Sequence, residues 1–87
     1  MKKTFFVVSW ISESLGSGTY AGVCGKLFSK REKAEQFLKE CLDAEKIDML
    51  TAYEEDEIEV DYECGIVHDN ADNYQIRYEI NEVEEDE

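Results

Sequence analysis

One amphipathic segment in the middle of the chain restricts the fold more than any other feature of the sequence. In SKREKAEQFLKECLDAEK, residues 29–46, apolar side chains recur three or four positions apart, which gives a helix a single apolar stripe. Ser29 precedes Glu32 by three residues, the capping-box pattern that marks a helix start. The stripe consists of Ala34, Phe37, Leu38, Cys41 and Leu42. We therefore predict a helix from about Lys30 to Glu45 that must bury this stripe against another layer.

Two segments before the helix have β character. Residues 4–10, TFFVVSW, are rich in β-branched and aromatic side chains and apolar on both faces, which predicts a central strand covered on both sides. Residues 11–18 hold two glycines and three serines and are typical of a turn. A second strand is predicted over residues 19–28, where Gly22 and Gly25 indicate a bulge or the close approach of a neighbouring group.

Two segments after the helix alternate between apolar and polar residues. Residues 47–53 are compatible with a helical continuation, a short strand or a packed connector, and we predict a connector. Residues 57–67, EIEVDYECGIV, are predicted to form one strand, and residues 74–80 another, with a polar loop between them. Residues 81–87, NEVEEDE, are predicted to be a frayed acidic tail. The inward side chains of these two strands would be Ile58, Val60, Tyr62, Cys64, Ile66, Tyr74, Ile76, Tyr78 and Ile80.

The order of these elements predicts the fold class. Two strands, one helix and two more strands, ββαββ, with one apolar face on most strands, favour a single α+β domain over residues 1–87. We expect one mostly antiparallel four-stranded sheet with the helix packed on one face. The order of the strands within that sheet does not follow from the pattern.

The charge of the chain is extreme and unevenly distributed. The net charge is −13 over 87 residues, and residues 34–87 contain 20 acidic and only three basic residues. Such a surface repels nucleic acid and anionic membranes, so direct binding to either is not expected. It attracts basic surfaces, of which the nucleic-acid-binding faces of other proteins are the commonest. We also expect stability to rise with added salt, because screening weakens the repulsion.

The densest negative charge falls on a predicted strand. Side chains two residues apart on one strand face are separated by about 6.6 to 6.8 Å, which matches two steps of about 3.4 Å between phosphates in B-DNA. A strand with carboxylates at residues 57, 59, 61 and 63 would therefore resemble a row of phosphates. The alternative interpretation is that the carboxylates bind no partner and form a solvated face that keeps a sheet edge from aggregating. The predicted partner-binding residues are Glu54, Glu55, Asp56, Glu57, Glu59, Asp61, Glu63 and Glu79, with Tyr53 as an exposed aromatic anchor.

Other chemistries are weakly supported by the residue pattern. Three cysteines without a CxxC pair are typical of reduced thiols in the cytoplasm, not of a secreted disulfide framework. Cys64 and His68 lack the second close-spaced pair that a zinc site with Cys24 and Cys41 requires. The loop 68–73 has two aspartates but not the order of a calcium-binding loop. No catalytic constellation is present, so we expect no cofactor, no metal and no enzymatic activity.

No membrane or export segment is predicted either. The opening MKKTFFVV resembles the start of a signal peptide, but Ser9, Trp10, Ser12 and Glu13 interrupt its apolar run. No segment approaches the ~20 apolar residues of a membrane span. We expect a soluble protein in the cytoplasm.

The sequence resembles small bacterial and phage proteins in which a strand ends in Phe-Ser, a helix begins with Glu-Lys-Ala-Glu, and a terminal strand ends in acidic residues. The stretches that carry the resemblance are GKLFSKREKAEQFL and YQIRYEINEVEEDE, and the matching positions are Phe28, Ser29, Glu32, Lys33, Ala34 and Glu35. In size and charge the chain is also similar to phage-encoded inhibitors of host defence, including anti-CRISPR proteins and DNA mimics of the anti-restriction kind. That resemblance implies inhibition by occupying a nucleic-acid groove.

The leading hypothesis is therefore a non-enzymatic inhibitor from a phage or mobile element. Its acidic strand would bind the basic nucleic-acid-binding surface of a nuclease or defence effector in the host cytoplasm. The alternative is a protein-protein adaptor or regulatory module in which the charge serves solubility only. A small thiol or metal-dependent enzyme is a third hypothesis.

Overall fold

The protein forms a single antiparallel sheet with one helix on it. The computed structural model describes residues 2–71 and 73–86, without the side chains of Lys2 and Asp86. The elements are β1 Lys2–Ser14, β2 Gly18–Phe28, α1 Arg31–Met49, a 3₁₀ turn Glu55–Glu57, β3 Ile58–Asp61, β4 Ile66–Asp69 and β5 Tyr74–Asp86. The described strands pair in the order β2-β1-β5-β4-β3. The α+β class with one helix and one antiparallel sheet is confirmed, whereas the sheet has five strands and not the predicted four.

The helix is longer than predicted and starts differently. α1 begins at Arg31 and ends at Met49, so residues 47–49 of the predicted connector continue the helix. The predicted capping box is absent because the N-cap residue is Lys30, which makes no side-chain cap hydrogen bond. Ser29 lies one residue too early and Glu32 one residue too close to the N-cap for the reciprocal bonds of that motif. Nowhere in residues 2–71 and 73–86 is a helix both long and apolar enough to cross a membrane.

The core lies between α1 and one face of the sheet. The fully buried side chains there include Val8 of β1, Leu42 of α1 and Val67 of β4. Burying each of these contributes about 1.5 to 3 kcal/mol. Ala34, Met49, Ile58, Ile76 and Tyr78 complete the buried cluster. The apolar stripe of α1 is therefore buried against one face of the sheet, as the helix pattern predicts.

The opposite face of the sheet is not covered by any described element, so the predicted double coverage of the first strand is wrong. Cross-strand partners share a face and successive residues alternate, so the side chains on either side of Val8 point away from the helix. Phe5 lies opposite Val83, and Val7 lies opposite Leu27, across their ladders. We call this the uncovered face. Its apolar residues include Phe5, Val7, Ile11, Val23, Leu27 and Val83.

The last strand runs through the segment predicted to fray. β5 extends to Asp86 and pairs with β1 along its whole length, with Lys3 opposite Glu85 and Thr4 opposite Glu84. Residues 81–86 are therefore strand, which corrects the prediction for the tail, while Glu87 lies outside the described residues. The reason is that β1 is 13 residues long, and so offers ladder partners well beyond Ile80.

The β1–β2 ladder contains the irregularity that its glycines predict. Its register shifts between Val7 and Ser9, where residues 24–26 of β2 face Val8 alone. A Cβ atom on Gly22 would lie 2.7 Å from Cζ2 of Trp10, because the indole packs directly on the glycine backbone. Both the bulge and the close approach are confirmed.

The segment 57–67 is a hairpin, not the single strand predicted. β3 ends at Asp61, and Gly65 closes a tight turn with φ +71°, its N–H donating to the Asp61 carbonyl at 2.9 Å. The turn changes the inward positions of the second half. Val67 is buried in the core, whereas Ile66 lies on the uncovered face opposite Asp61.

Candidate functional site

Seven carboxylates line one edge of the sheet. β3 is the outermost strand on this side, and the 3₁₀ turn that precedes it and the turn that follows it continue the same edge. All seven side chains are exposed. We call this group the acidic edge: Glu54, Glu55, Asp56, Glu57, Glu59, Asp61 and Glu63. Residues 54–63 contain no basic residue, so the structure places a concentrated negative charge at the boundary of the fold.

The first half of the acidic edge is fixed by backbone hydrogen bonds. The Glu54 N–H donates to the Glu57 Oε1 at 3.0 Å, so the Glu57 side chain has a structural role. Asn70 of the β4–β5 loop donates its Nδ2 to the Asp56 carbonyl at 2.9 Å and its backbone N–H to the Glu57 carbonyl at 2.8 Å. These bonds hold the 3₁₀ turn against the sheet, and the exposed Glu55 side chain lies 3.9 Å from Lys46 Nζ.

On β3 itself, two carboxylates share the uncovered face. Glu59 lies opposite His68, and its Oε2 is 3.3 Å from the His68 Nε2, a contact that becomes an ion pair only when the imidazole is protonated. Asp61 is the second of the two. Ile58 and Val60 point the other way, toward the core, as the alternation predicts.

Asp61 is also the residue that builds the turn. Its Oδ1 accepts hydrogen bonds from the backbone N–H groups of Glu63 at 3.0 Å and Cys64 at 3.1 Å. The bonds from Cys64 and then Glu63 favour the ionised form and hold the pKa of Asp61 below its usual 3.8. Asp61 is therefore charged at neutral pH and is also needed for the shape of the acidic edge.

The predicted straight row of four evenly spaced carboxylates is wrong. Glu57 belongs to the 3₁₀ turn and Glu63 to the hairpin turn, so only Glu59 and Asp61 keep the strand spacing of about 6.6 to 6.8 Å. The acidic edge is a cluster wrapped around a short strand.

Glu79 is set apart from the acidic edge. It lies on β5, two strands in from β3, and its Oε1 is 3.8 Å from Arg77 Nη1. Glu63 and Glu79 do line one common cleft of about 580 Å³ between α1 and the hairpin turn. Glu79 thus borders the acidic edge at this cleft, and Arg77 offsets part of its charge.

The predicted aromatic anchor is misplaced. Tyr53 is half-buried and packs against the hydrophobic core, which corrects its assignment as an exposed residue. Tyr62, which the alternation places inward, is half exposed because it lies in the turn. Its hydroxyl donates to Asp43 Oδ1 at 2.5 Å, and Lys39 lies over its ring at 5.7 Å. The signal that identifies Tyr62 is its position between Asp61 and Gly65, two turn-forming residues.

The cleft beside Tyr62 has no arrangement typical of catalysis. Arg31, Lys39 and Glu35 lie at its wall together with Cys64. The neighbouring Asp61 carboxylate accepts a hydrogen bond from Cys64 and raises the pKa of its thiol, which disfavours a reactive thiolate. No group of three or more His, Cys, Asp or Glu side chains in the described part of the chain is placed to hold a metal ion.

The other two cysteines belong to the core. Cys24 of β2 and Cys41 of α1 both pack against the buried cluster. Burial, and then the adjacent Cys24, raise the pKa of Cys41 to about 11, so this thiol is protonated at neutral pH. In the loop 68–73, Asp69 is buried and accepts a hydrogen bond from the Tyr74 N–H at 2.8 Å, whereas Asp72 lies outside the described residues.

Comparison of the chain with protein-family models, with curated proteins and with solved structures finds no match.

Proposed function

We propose that this protein is a non-enzymatic inhibitor that binds the basic nucleic-acid-binding surface of a partner protein through its acidic edge. The observation that carries the proposal is the concentration of seven exposed carboxylates in ten residues along one sheet edge. Protection of an edge strand can be achieved with lysine or with mixed charge, and does not require charges of one sign. A cluster of one sign at this density is better explained by a partner of the opposite sign.

The fold supports this function by holding the carboxylates in place before a partner arrives. Asn70 and Asp61 fix the backbone of the two turns, so little conformational entropy is lost when the cluster is bound. Opposite charge raises the rate of encounter, and close pairs with arginine or lysine of the partner supply specificity. The partner is proposed to be a nuclease or another defence effector whose basic groove holds nucleic acid. Imitation of nucleic acid would rest on the charge cluster and the Glu59–Asp61 spacing, not on a long regular row.

The structure indicates which substitutions test the proposal cleanly. Glu57 and Asp61 accept hydrogen bonds that shape the backbone, so changing them would confuse binding with folding. Glu55, Asp56 and Glu63 are exposed and their side chains have no such role. The test is the triple variant Glu55→Lys/Asp56→Lys/Glu63→Lys, assayed by displacement of labelled duplex DNA from a panel of purified bacterial nucleases.

The matched control changes the net charge equally but elsewhere. Glu40→Lys/Asp48→Lys/Glu82→Lys alters exposed residues of α1 and β5. We expect wild type to displace DNA from at least one nuclease, the edge triple to lose at least roughly 100-fold in affinity, and the control triple to lose less than about tenfold. Affinity should also fall as salt rises. Equal losses in the two triples would show that net charge alone is responsible, and no displacement from any nuclease would contradict the proposal.

A second candidate function, an adaptor that binds a protein partner, is favoured by the uncovered face. Ile11 and Val83 are each 43% exposed on this face, and Asn81 Nδ2 already donates to Ser9 Oγ at 2.6 Å beside them. Under this function Val83→Lys would abolish partner binding, the edge triple would not, and binding would tolerate salt. Tyr53→Ala does not separate the two functions, since Tyr53 supports the core.

A further inference from the structure

The edge of the sheet opposite β3 is open along a long strand. β2 has 11 residues and its only described strand partner is β1. Alternate residues on the outer side of β2 therefore present backbone N–H and C=O groups with no strand to pair with. Such an edge is a template for the addition of another strand, unless the sequence blocks it.

Half of this edge is regular enough to accept a strand. From Gly18 to Val23, β2 follows β1 without a break in register, while the bulge at residues 24–26 interrupts the remainder. The regular part contains no proline, and none of its side chains is charged. Neither of the usual devices against strand addition is present over these six residues.

The distribution of charge selects the occupant of this edge. Residues 15–31 contain Lys26, Lys30 and Arg31 but no Asp or Glu. In a chain of net charge −13, this is the edge at which a second copy meets the least repulsion. Two copies stacked through the uncovered face would instead bring together their carboxylates at Glu13, Glu59, Asp61, Glu79 and Glu85.

Exposed apolar surface is concentrated on the same side. Nine large hydrophobic side chains of the described chain are exposed, and five of them lie on β2, in the turn before it or on the adjacent part of β1. These five are Ile11, Leu15, Tyr20, Val23 and Leu27. Leu15 is the most exposed, at 74%, and Val23 follows at 67%. Pairing at this edge would remove part of this area from water.

We infer that two copies of this chain associate through β2, antiparallel and around a twofold axis at Ala21, to form one continuous ten-stranded sheet. This register pairs residues 19–23 of the two copies with each other and keeps the same face of both sheets on the same side. Ala21 lies opposite Ala21 of the second copy. Tyr20 lies opposite Gly22 of the second copy, beside the Trp10 indole that packs on that glycine. The inference is independent of the function proposed for the acidic edge.

The first test is the mass of the full chain in solution. Sedimentation of wild type at concentrations up to about 1 mM should show a species of twice the 10.1 kDa chain mass. The dimer fraction should increase from about 0.05 M to about 0.5 M NaCl, because salt screens repulsion between the two acidic molecules. Binding to a basic partner has the opposite salt dependence, so failure of one proposal is distinguished from failure of the other.

The second test addresses the register. Ala21→Lys and Ala21→Glu place like charges directly opposite each other in the dimer, and each variant should be monomeric. A mixture of the two should restore the dimer, because Lys then faces Glu across the axis. Val83→Lys, on the uncovered face of β5, is the matched control and should remain dimeric. Circular dichroism and urea unfolding of each variant confirm that the monomer is folded.

Three results would overturn the inference. These are a wild type that stays monomeric at about 1 mM in about 0.5 M NaCl, loss of the dimer in Val83→Lys, and failure of the mixed Ala21 variants to associate. Addition of a strand from a different protein to β2, with wild type itself monomeric, would equally show that the occupant is not a second copy.

Discussion

The two outer strands of the sheet, β2 and β3, differ in how readily each could pair with a further strand. β3 has four residues, and the acidic edge surrounds it with seven carboxylates. β2 has 11 residues, no carboxylate, and only a bulge and Lys26 to discourage pairing. A short edge lined with carboxylates repels an acidic strand and offers few backbone groups for pairing, whereas a long neutral edge accepts a further strand. The same sheet therefore offers an electrostatic surface on one side and a backbone hydrogen-bonding surface on the other.

The two edges also differ in how firmly they are attached to the core. β3 contributes Ile58 to the buried cluster, and the 3₁₀ turn and hairpin turn beside it are fixed by Asn70 and Asp61. β2 contributes half-buried residues and exposes Val23 and much of Leu27. Local stability should accordingly be higher at the acidic edge, where repulsion between carboxylates has to be overcome.

The largest expected effect tests that difference in attachment. Ile58→Ala leaves a cavity under β3 and should lower the free energy of unfolding by about 2–4 kcal/mol. Val23→Ala on β2 should change it by less than about 0.5 kcal/mol, since this side chain is exposed. Urea unfolding measures both. Similar losses of stability in the two variants would show that β3 is not attached to the core more firmly than β2.

A slightly smaller effect is expected from the glycines of the two edges. Ala in place of Gly65 would have an unfavourable φ of +71° and a Cβ only 2.6 Å from the Tyr78 carbonyl oxygen, so Gly65→Ala should cost about 2–3 kcal/mol. Gly25→Ala is the matched change in the bulge of β2, where no atom lies within 4 Å of the added Cβ. Thermal or urea unfolding should find it nearly neutral, and a large loss there would contradict the description of the β2 bulge as open.

The third prediction concerns the contribution of Asp61 to stability at low pH. Since the pKa of Asp61 is lowered in the folded state, the unfolded chain takes up this proton at a higher pH. Its stabilising contribution is complete above about pH 4 and is lost as the pH falls through the folded-state pKa. Asp61→Asn keeps an acceptor in the turn but does not titrate. Between about pH 4 and about pH 2, the free energy of unfolding should fall further for wild type than for Asp61→Asn. An equal fall in the two proteins, measured by urea unfolding at each pH, would show that the turn does not depend on the carboxylate.

The smallest expected effects are changes in how much salt stabilises the protein, and these changes should be of opposite sign at the two edges. Salt stabilises wild type by screening repulsion, and Asp56→Asn should reduce this stabilisation by roughly 0.3 kcal/mol between about 0.05 M and about 0.5 M NaCl. Lys26→Gln on β2 makes the chain more negative. This variant should therefore show a slightly larger stabilisation by salt. The measurement is the salt dependence of urea unfolding. The same sign at both positions would mean that local charge does not distinguish the two edges.

The elements that could be predicted from the sequence are those with a strong periodic signal. The stripe from Ala34 to Leu42 predicted the helix and its buried face, and the alternation from Tyr74 to Ile80 predicted the core face of β5. The hairpin was missed because Tyr62 and Cys64 continue the alternation by coincidence while lying in a turn. Asp61 and Gly65, which favour turns, were the residues there that indicated a reversal.

The remaining errors arise from interactions that a local pattern does not contain. Residues 81–86 are strand because β1 pairs with them, not because of their own propensity. The double coverage predicted for residues 4–10 fails because one helix covers only one face of a sheet. In the candidate site, the carboxylates follow directly from the composition, whereas the exposure of Tyr62 and the burial of Tyr53 depend on the turn and the core.

The pairing of the first strand with the last has a consequence for synthesis on the ribosome. β1 is synthesised before the helix and the other strands, yet β5, which lies beside it along all 13 residues, is synthesised after them. Until then the nascent chain offers only the β1–β2 hairpin and an unsupported helix, and contacts between such distant segments form slowly. Completion of the sheet should therefore be a late step of folding, with the apolar residues of β1 available to chaperones in the interval.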